Sequence, residues 1–343
     1  MNVGCIPKKL FHIGTQVEEQ THMLADYGWK GADGVTLKHD WSVLRSNIQN
    51  HIKGINFSYK AKMQEIGADY INAFASFENS NEVRFTHGAG NTPYTLKAKH
   101  FVIAAGNRPR GYPGQPELSE YAVTSDDLFS LEEDPGKTLV VGGGFVAVEC
   151  AGFLRGLGKE VIMINRSSFL RTMDDDMTFR IIDDMEAHGV QVMTKTVPTG
   201  AKKLGDKSFE VELMSNGEKQ KVEVNTILLA IGRSCEPDKL GLANAGVVVA
   251  PSQRVQGRRD EQERSNIDHI YAIGDACEGA PELMPVAQKS GKQLAHRIYE
   301  RMKGERSEQE ILDAYSTDFS YIPSTVFSPT EYSFAGLNEQ EAI

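Results

Sequence analysis

Cysteine is scarce in this chain of 343 residues, with four in all, at positions 5, 150, 235 and 277. So few and so scattered, they exclude a disulfide-stapled scaffold and fit a reducing compartment, where a special cysteine points to redox chemistry. No apolar run approaches ~18 residues, so no membrane span is expected. The opening Met1-Asn2-Val3-Gly4-Cys5-Ile6-Pro7-Lys8-Lys9 lacks the apolar core of a secretory signal. A cytoplasmic setting is therefore expected, with the mitochondrion as the other candidate. Positive charge is in deficit: 37 Lys and Arg stand against 47 Asp and Glu, a net charge of −10. That balance argues against a nucleic-acid-binding face. No metal-ligand spacing, long internal repeat or low-complexity tract is present. Hydrophobic residues at 40% and charged residues at 24% are ordinary globular usage, which excludes disorder, collagen and coiled coil. At roughly 100–200 residues per domain the chain holds two to three domains. What it has in quantity is glycine, 32 residues, several at the ends of apolar runs.

The first stretch reads as helical, with Pro7 tolerable only in its opening turn. Trp41, Leu44, Ile48, Ile52, Ile55, Tyr59, Met63 and Ile66 recur at intervals of three and four, predicting a long helix with one continuous apolar stripe. From Ala68 to about Ala105 the pattern shifts to short β-type runs: Tyr70-Ile71, Val83-Arg84-Phe85, Tyr94-Thr95-Leu96 and Phe101-Val102-Ile103. These predict a strand-rich unit with a small antiparallel meander. Gly106, Pro109, Gly111, Pro113, Gly114 and Pro116 crowd into eleven residues and mark a boundary. A second α/β unit is expected from about Tyr121 to Ala243. Beyond Lys303 the tail is polar, then offers Pro323-Ser324-Thr325-Val326-Phe327 as a strand start. The sequence stops in a helical-looking segment, so it is expected to be cut there.

One nucleotide site follows from the residues alone. Lys137-Thr138-Leu139-Val140-Val141 predicts a buried strand leading into Gly142-Gly143-Gly144-Phe145-Val146-Ala147-Val148-Glu149 and a helix through Ala151, Phe153 and Leu154. Gly142 allows the tight turn, Gly144 lets a pyrophosphate approach the backbone, and Ala147 keeps the helix close to the sheet. The helix N-terminus supplies free N–H groups and positive dipole. Glu160-Val161-Ile162-Met163-Ile164 follows as the second strand. An NAD site would place Asp or Glu at its end, roughly 20 residues after the first glycine, to hold the ribose hydroxyls. Here Asn165 is followed by Arg166, with Arg171 five residues on. Two guanidiniums suit a 2′-phosphate where a carboxylate would repel it, so NADPH is expected. The plainer reading is a pair of surface arginines.

Two further apolar runs end in glycine, at Gly106 and at Gly232-Arg233, and Asp268-His269-Ile270-Tyr271-Ala272-Ile273 predicts a strand running into Gly274-Asp275. An Asp at a strand's carboxyl end suits a ribityl or ribose hydroxyl. Met284-Pro285-Val286-Ala287 then opens a helix whose N-terminus could stabilise negative charge developing on a flavin ring.

Together these residues resemble the two-dinucleotide-binding flavoprotein disulfide reductases. Cys5-Ile6-Pro7-Lys8-Lys9 is similar to the second half of that family's redox motif, Cys-x-x-x-x-Cys-x-Pro-Lys-Lys. Lys38-His39-Asp40-Trp41, Asn50-His51-Ile52, Ser125-Asp126-Asp127-Leu128-Phe129-Ser130-Leu131 and Glu149-Cys150-Ala151-Gly152-Phe153-Leu154 resemble the high-molecular-weight thioredoxin reductases. The resemblance implies an α/β protein with two Rossmann-like domains, for FAD and NADPH, in a three-layer ββα arrangement. The FAD-binding domain would be split over 1–120 and 244–303. The NADPH-binding domain would fill 121–243, and 304–343 would begin a dimer-interface domain. Cys5 would be the redox sulfur nearest the flavin, its thiolate favoured by the helix dipole and Lys8. Lys8 would sit by the flavin and pair with Glu149. Thioredoxin would be the disulfide substrate, and the full-length protein a homodimer.

The resemblance also exposes departures. The partner cysteine would fall one residue before Met1, and the first strand with its FAD glycine loop would precede it. The region carrying the family's catalytic His-Glu pair would follow Ile343. The chain alone is therefore expected to be inactive in disulfide reduction. Phe145 stands where the family has tyrosine over the nicotinamide, which keeps the flat apolar face. The rival readings are a glutathione-disulfide reductase and a truncated, non-catalytic dinucleotide-binding protein. Other residues are read plainly. Cys150 is assigned to the core, Cys235 and Cys277 are loop thiols without a role, and His12 and His39 are helix-surface or capping residues. Arg258-Arg259 among Asp260, Glu261 and Glu263 is read as a solvated loop.

Overall fold

The computed structural model describes residues 1–31, 37–88 and 92–343 of the chain. Helices α1 (Cys5–His22) and α2 (Trp41–Glu65) lead into strands β1 (Ala75–Asn79), β2 (Glu82–His87), β3 (Thr92–Lys97) and β4 (Phe101–Ile103). Next come β5 (Val123–Thr124), β6 (Thr138–Val141), α3 (Phe145–Gly156), β7 (Val161–Ile164), α4 (Asp175–Ala187) and β8 (Gln191–Met193). Strands β9 (Thr196–Gly205), β10 (Ser208–Ser215), β11 (Glu218–Val224), β12 (Thr226–Leu229) and β13 (Ile270–Ala272) follow. Helices α5 (Met284–Lys303) and α6 (Glu308–Tyr315) and the hairpin β14 (Ser324–Val326) and β15 (Tyr332–Phe334) come next, and one short helical turn, Glu339–Ala342, follows them. No helix among the described residues is long and apolar enough to cross a membrane.

The chain divides into two compact units. The first comprises Met1–Tyr59, Pro109–Gly232 and Pro323–Ile343; the second comprises Lys60–Arg108 and Arg233–Ile322. In the first unit a five-stranded sheet runs β5-β12-β6-β7-β8, parallel throughout. Its central strands are buried at every position, as continuous Val, Ile and Leu runs require of a parallel sheet covered on both faces. On one face the antiparallel sheet β9-β10-β11 packs Val211, Leu213 and Val224 against Leu139, Ile162 and Ile227. On the other, Val140 and Met163 meet Ala147, Cys150, Ala151 and Phe11 of the helices. This is a β-β-α layering around a parallel sheet of Rossmann type.

Helix α1 carries Pro7 in its first turn and crosses α3 closely. Phe11 stacks on Phe153 at 5.2 Å and on Trp41 at 4.9 Å. A Cβ at Gly156 would lie 2.6 Å from Thr15, so glycine is what admits the crossing. Helix α2 forms as its period predicts, but its stripe is only partly used. Trp41, Ile48 and Ile52 are buried, whereas Tyr59 and Ile66 are 45% and 70% exposed. No residue of the helix beyond Ile52 is buried.

In the second unit β1-β2-β3 form the antiparallel meander, with Val83 opposite both Phe77 and Leu96. Tyr70 and Ile71 lie outside it: pairing starts at Ala75, and the N–H of Ala73 turns back to the carbonyl of Ile71. Strands β4 and β13 pair in parallel, Phe101 with Ile270 and Ile103 with Ala272. Their core joins Phe77, Leu242, Val255 and Cys277.

The segment read as a solvated loop is a buried ion cluster instead. Glu261 and Glu263 are buried and bind Arg297 of α5, whose side chain is fully enclosed, at 2.8 and 2.9 Å. Arg301 reaches Glu261 at 2.7 Å, and the Ser290 hydroxyl donates to Glu263. Arg259 is exposed, as expected, whereas Arg258 is half-buried, donating to the carbonyl of Ser265 at 2.9 Å and pairing with Asp268.

Candidate functional site

In the first unit, β6 ends at Val141 and the chain turns through Gly142, Gly143 and Gly144 into α3. The turn lies at the sheet's switch point, because β7 continues on one side of β6 and β12 on the other. Gly142 has φ +147°, and a Cβ there would lie 2.2 Å from the carbonyl oxygen of Ala230. Its role is close packing of turn on sheet. Gly144 differs: a Cβ at that residue would meet nothing within 4 Å. Open space therefore stands over the N-terminus of α3, where no side chain caps the free N–H groups. A phosphate fits such a place. Ala147 is fully buried against the sheet, and Phe145 opens the helix with its ring partly exposed.

Asn165 follows β7 and turns its amide to the carbonyl of Ser168, at 2.5 Å. Arg166 and Arg171 are both exposed and make no ion pair among the described residues, and Arg166 lies near enough to Tyr112 to bear on its hydroxyl. Gly232, with φ +115°, closes the run after β12 and accepts from the N–H of Arg110.

The redox-motif residues lie in the same unit. Cys5 is the first residue of α1, exposed and with a free thiol. One turn on, Lys8 Nζ donates to Glu149 Oε1 at 2.7 Å. The same oxygen accepts the N–H of Phe327 at 3.0 Å. Burial pushes the Glu149 carboxyl up from its ordinary value, while the Lys8 ammonium and the Phe327 N–H oppose the rise. Phe327 also lies beneath both ammoniums, its ring centroid 4.3 Å from Lys8 Nζ and 4.1 Å from Lys9 Nζ.

His12, read as a surface or capping residue, is buried. Its Nε2 meets Glu331 at 2.8 Å, and Lys9 reaches the same carboxylate at 2.7 Å. His39 is not a cap either, since Asp40 accepts from Ser42 and from the N–H of Val43 to open α2. Cys150 is buried in the core, and burial pushes its thiol far up.

The second unit brings Gly106, Gly274 and Asp275 together at the ends of the paired strands β4 and β13. Gly106 has φ +65° and Gly274 φ +59°. A Cβ at Gly274 would sit 2.8 Å from that of Ala287, so the first turn of α5, with Pro285, Val286 and Ala287, rests directly on this turn. No side chain caps the N-terminus of α5, and the Asp275 carboxylate makes no hydrogen bond or ion pair among the described residues. Arg233 donates to the side-chain and backbone oxygens of Asn107. A guanidinium only donates, so Oδ1 must face it. The Asn107 amide nitrogen, on a residue 5% exposed, has no hydrogen-bond partner among the described residues. A cavity of about 380 Å³ runs along Phe101 to Arg108 beside it. Uncapped helix, unengaged carboxylate and orphaned buried donor all fit a polar dinucleotide.

Sequence reasoning missed Cys235 here. Its thiol is buried and lies 3.3 Å from the carbonyl oxygen of Gly106 and 3.5 Å from that of Asp275. Cys277 is buried as well, against the carbonyls of Gln262 and Glu278.

A glycine turn at the switch point of a parallel sheet, with an open helix N-terminus behind it, defines a dinucleotide-binding protein. The family model described as pyridine nucleotide-disulphide oxidoreductase matches residues 1–291. The chain belongs to that family, whose members are flavin-dependent disulfide oxidoreductases that in general bind FAD and a pyridine nucleotide.

Proposed function

We propose that this protein is an NADPH-dependent FAD disulfide reductase of the large thioredoxin reductase type. The observation that carries the reading is the Lys8–Glu149 pair, set on the helix of Cys5 and on the helix of the nucleotide turn at once. Overall, NADPH and a proton would reduce one disulfide to two thiols and leave NADP⁺, the flavin supplying a two-electron carrier between them.

In this reading the turn at Gly142 to Gly144 seats the pyrophosphate on the N–H groups of α3. Arg166 and Arg171, without carboxylate partners among the described residues, hold the 2′-phosphate. Phe145 stacks on the nicotinamide. Gly106, Arg233, Gly274, Asp275 and the first turn of α5 through Pro285, Val286 and Ala287 hold the flavin dinucleotide. Cys5 is the thiol that carries reducing equivalents onward, with thioredoxin as the disulfide substrate and a homodimer as the working form. Lys8 keeps a positive charge one helical turn from that thiol, and Glu149 holds the ammonium in place. The nucleotide half is tested by titrating the chain with NADPH and with NADH. Arg166→Ala with Arg171→Ala should weaken NADPH binding by about 10- to 100-fold and leave NADH nearly unchanged. Equal losses for both would remove the phosphate role.

A further inference from the structure

Cys235 stands between two turns that the flavin reading uses. Each turn needs a glycine in left-handed backbone, Gly106 after β4 and Gly274 after β13. Outside the turns the two strands are joined by their parallel ladder, which ends at Ile103 and Ala272. Past that point the Cys235 thiol takes over as a link, since the carbonyls of Gly106 and Asp275 both lie within donor reach of the one S–H. Two residues upstream, Arg233 pins Asn107 through both of its oxygens. The segment 233–235 thus contacts the first turn through three oxygens and the second through one. Asn107 Nδ2, buried and without an acceptor among the described residues, marks this as a place that a ligand completes.

We propose that Cys235 is a positioning residue for the flavin: its thiol ties the Gly106 turn to the Asp275 turn and fixes their spacing for the cofactor. The inference rests on the flavin reading above. The group must stay protonated to donate, and burial does push its thiol up from the ordinary value, with the Arg254 charge opposing. A thiolate would face two carbonyl oxygens and repel both.

The test compares wild type, Cys235→Ala and Cys235→Ser as purified whole chains, by FAD titration and by amide hydrogen exchange of the flavin-free proteins. Cys235→Ala should weaken FAD binding about five- to tenfold, the worth of one hydrogen bond, and speed exchange over 104–108 and 273–277. Cys235→Ser, which restores a donor but not the volume, should return both toward wild type. Unchanged FAD affinity in Cys235→Ala overturns the proposal, and so does a serine variant as weak as the alanine one. If wild type takes up no FAD, the flavin reading falls, whereas exchange at the two turns still shows whether the thiol ties them. Unchanged exchange there removes the tie itself.

Discussion

At the scale of single residues, the nucleotide turn separates two jobs that its glycines share on paper. Gly142 is packed against Ala230 with a backbone that L side chains avoid, whereas Gly144 faces open space. Gly142→Ala should therefore cost about 2 kcal/mol or more of stability through strain and the clash. Gly144→Val should leave the unfolding midpoint near wild type and abolish dinucleotide binding, because its side chain fills the space the phosphate needs. Chemical denaturation and nucleotide titration of the two variants check this, and a stable Gly142→Ala protein would refute the packing role.

His12 carries a pH prediction. Burial, with Lys9 and Lys8 adding, lowers its pKa from 6.5, although Glu331 pulls the other way. A group with a lowered folded pKa lends stability above its unfolded value and loses it as pH falls through the folded one. Urea midpoints should thus drop on going below about pH 6.5, and His12→Gln should flatten that drop. Glu331 does not confuse the window, since its carboxyl is held below 4.5, chiefly by its hydrogen bond from Lys9.

At the scale of elements, α5 is held by charge as well as by apolar contact. Arg297 binds Glu261 and Glu263 in a site closed to water, so Arg297→Leu would take its charge from both buried carboxylates, leaving Glu261 to Arg301 and Glu263 to the Ser290 hydroxyl. A loss of about 3–5 kcal/mol is expected, read from denaturation, while conservative Arg301 variants cost less because that side chain is nearer solvent. The α5 helix itself was legible from its Met-Pro opening, and the strands β6, β7 and β12 from their unbroken apolar runs. The cluster was not. Periodicity reports which positions are buried, but an acidic stretch looks solvated until its cation arrives from 36 residues away.

At the scale of the whole molecule the same limit recurs at longer range. The two glycine-ended sites could be read locally, because strand, turn and helix N-terminus are contiguous in sequence. His12 meets its partner Glu331 from 319 residues away, and Cys235 meets Gly106 from 129 residues away. The Lys8–Glu149 pair spans 141 residues and was foreseen only through resemblance to a family. Helix α2 shows the opposite case, in which a correct local period marks the apolar face but overstates its burial, since Tyr59 and Ile66 are exposed.

The central claim is that electrons enter from NADPH and leave through a bound flavin. Its most direct test is to load the purified chain with FAD, remove oxygen, add one equivalent of NADPH or of NADH, and follow the flavin absorbance. Prompt bleaching by NADPH, much slower bleaching by NADH, is the predicted result. A flavin that stays oxidised with both, in a protein that holds FAD and nucleotide, would contradict it.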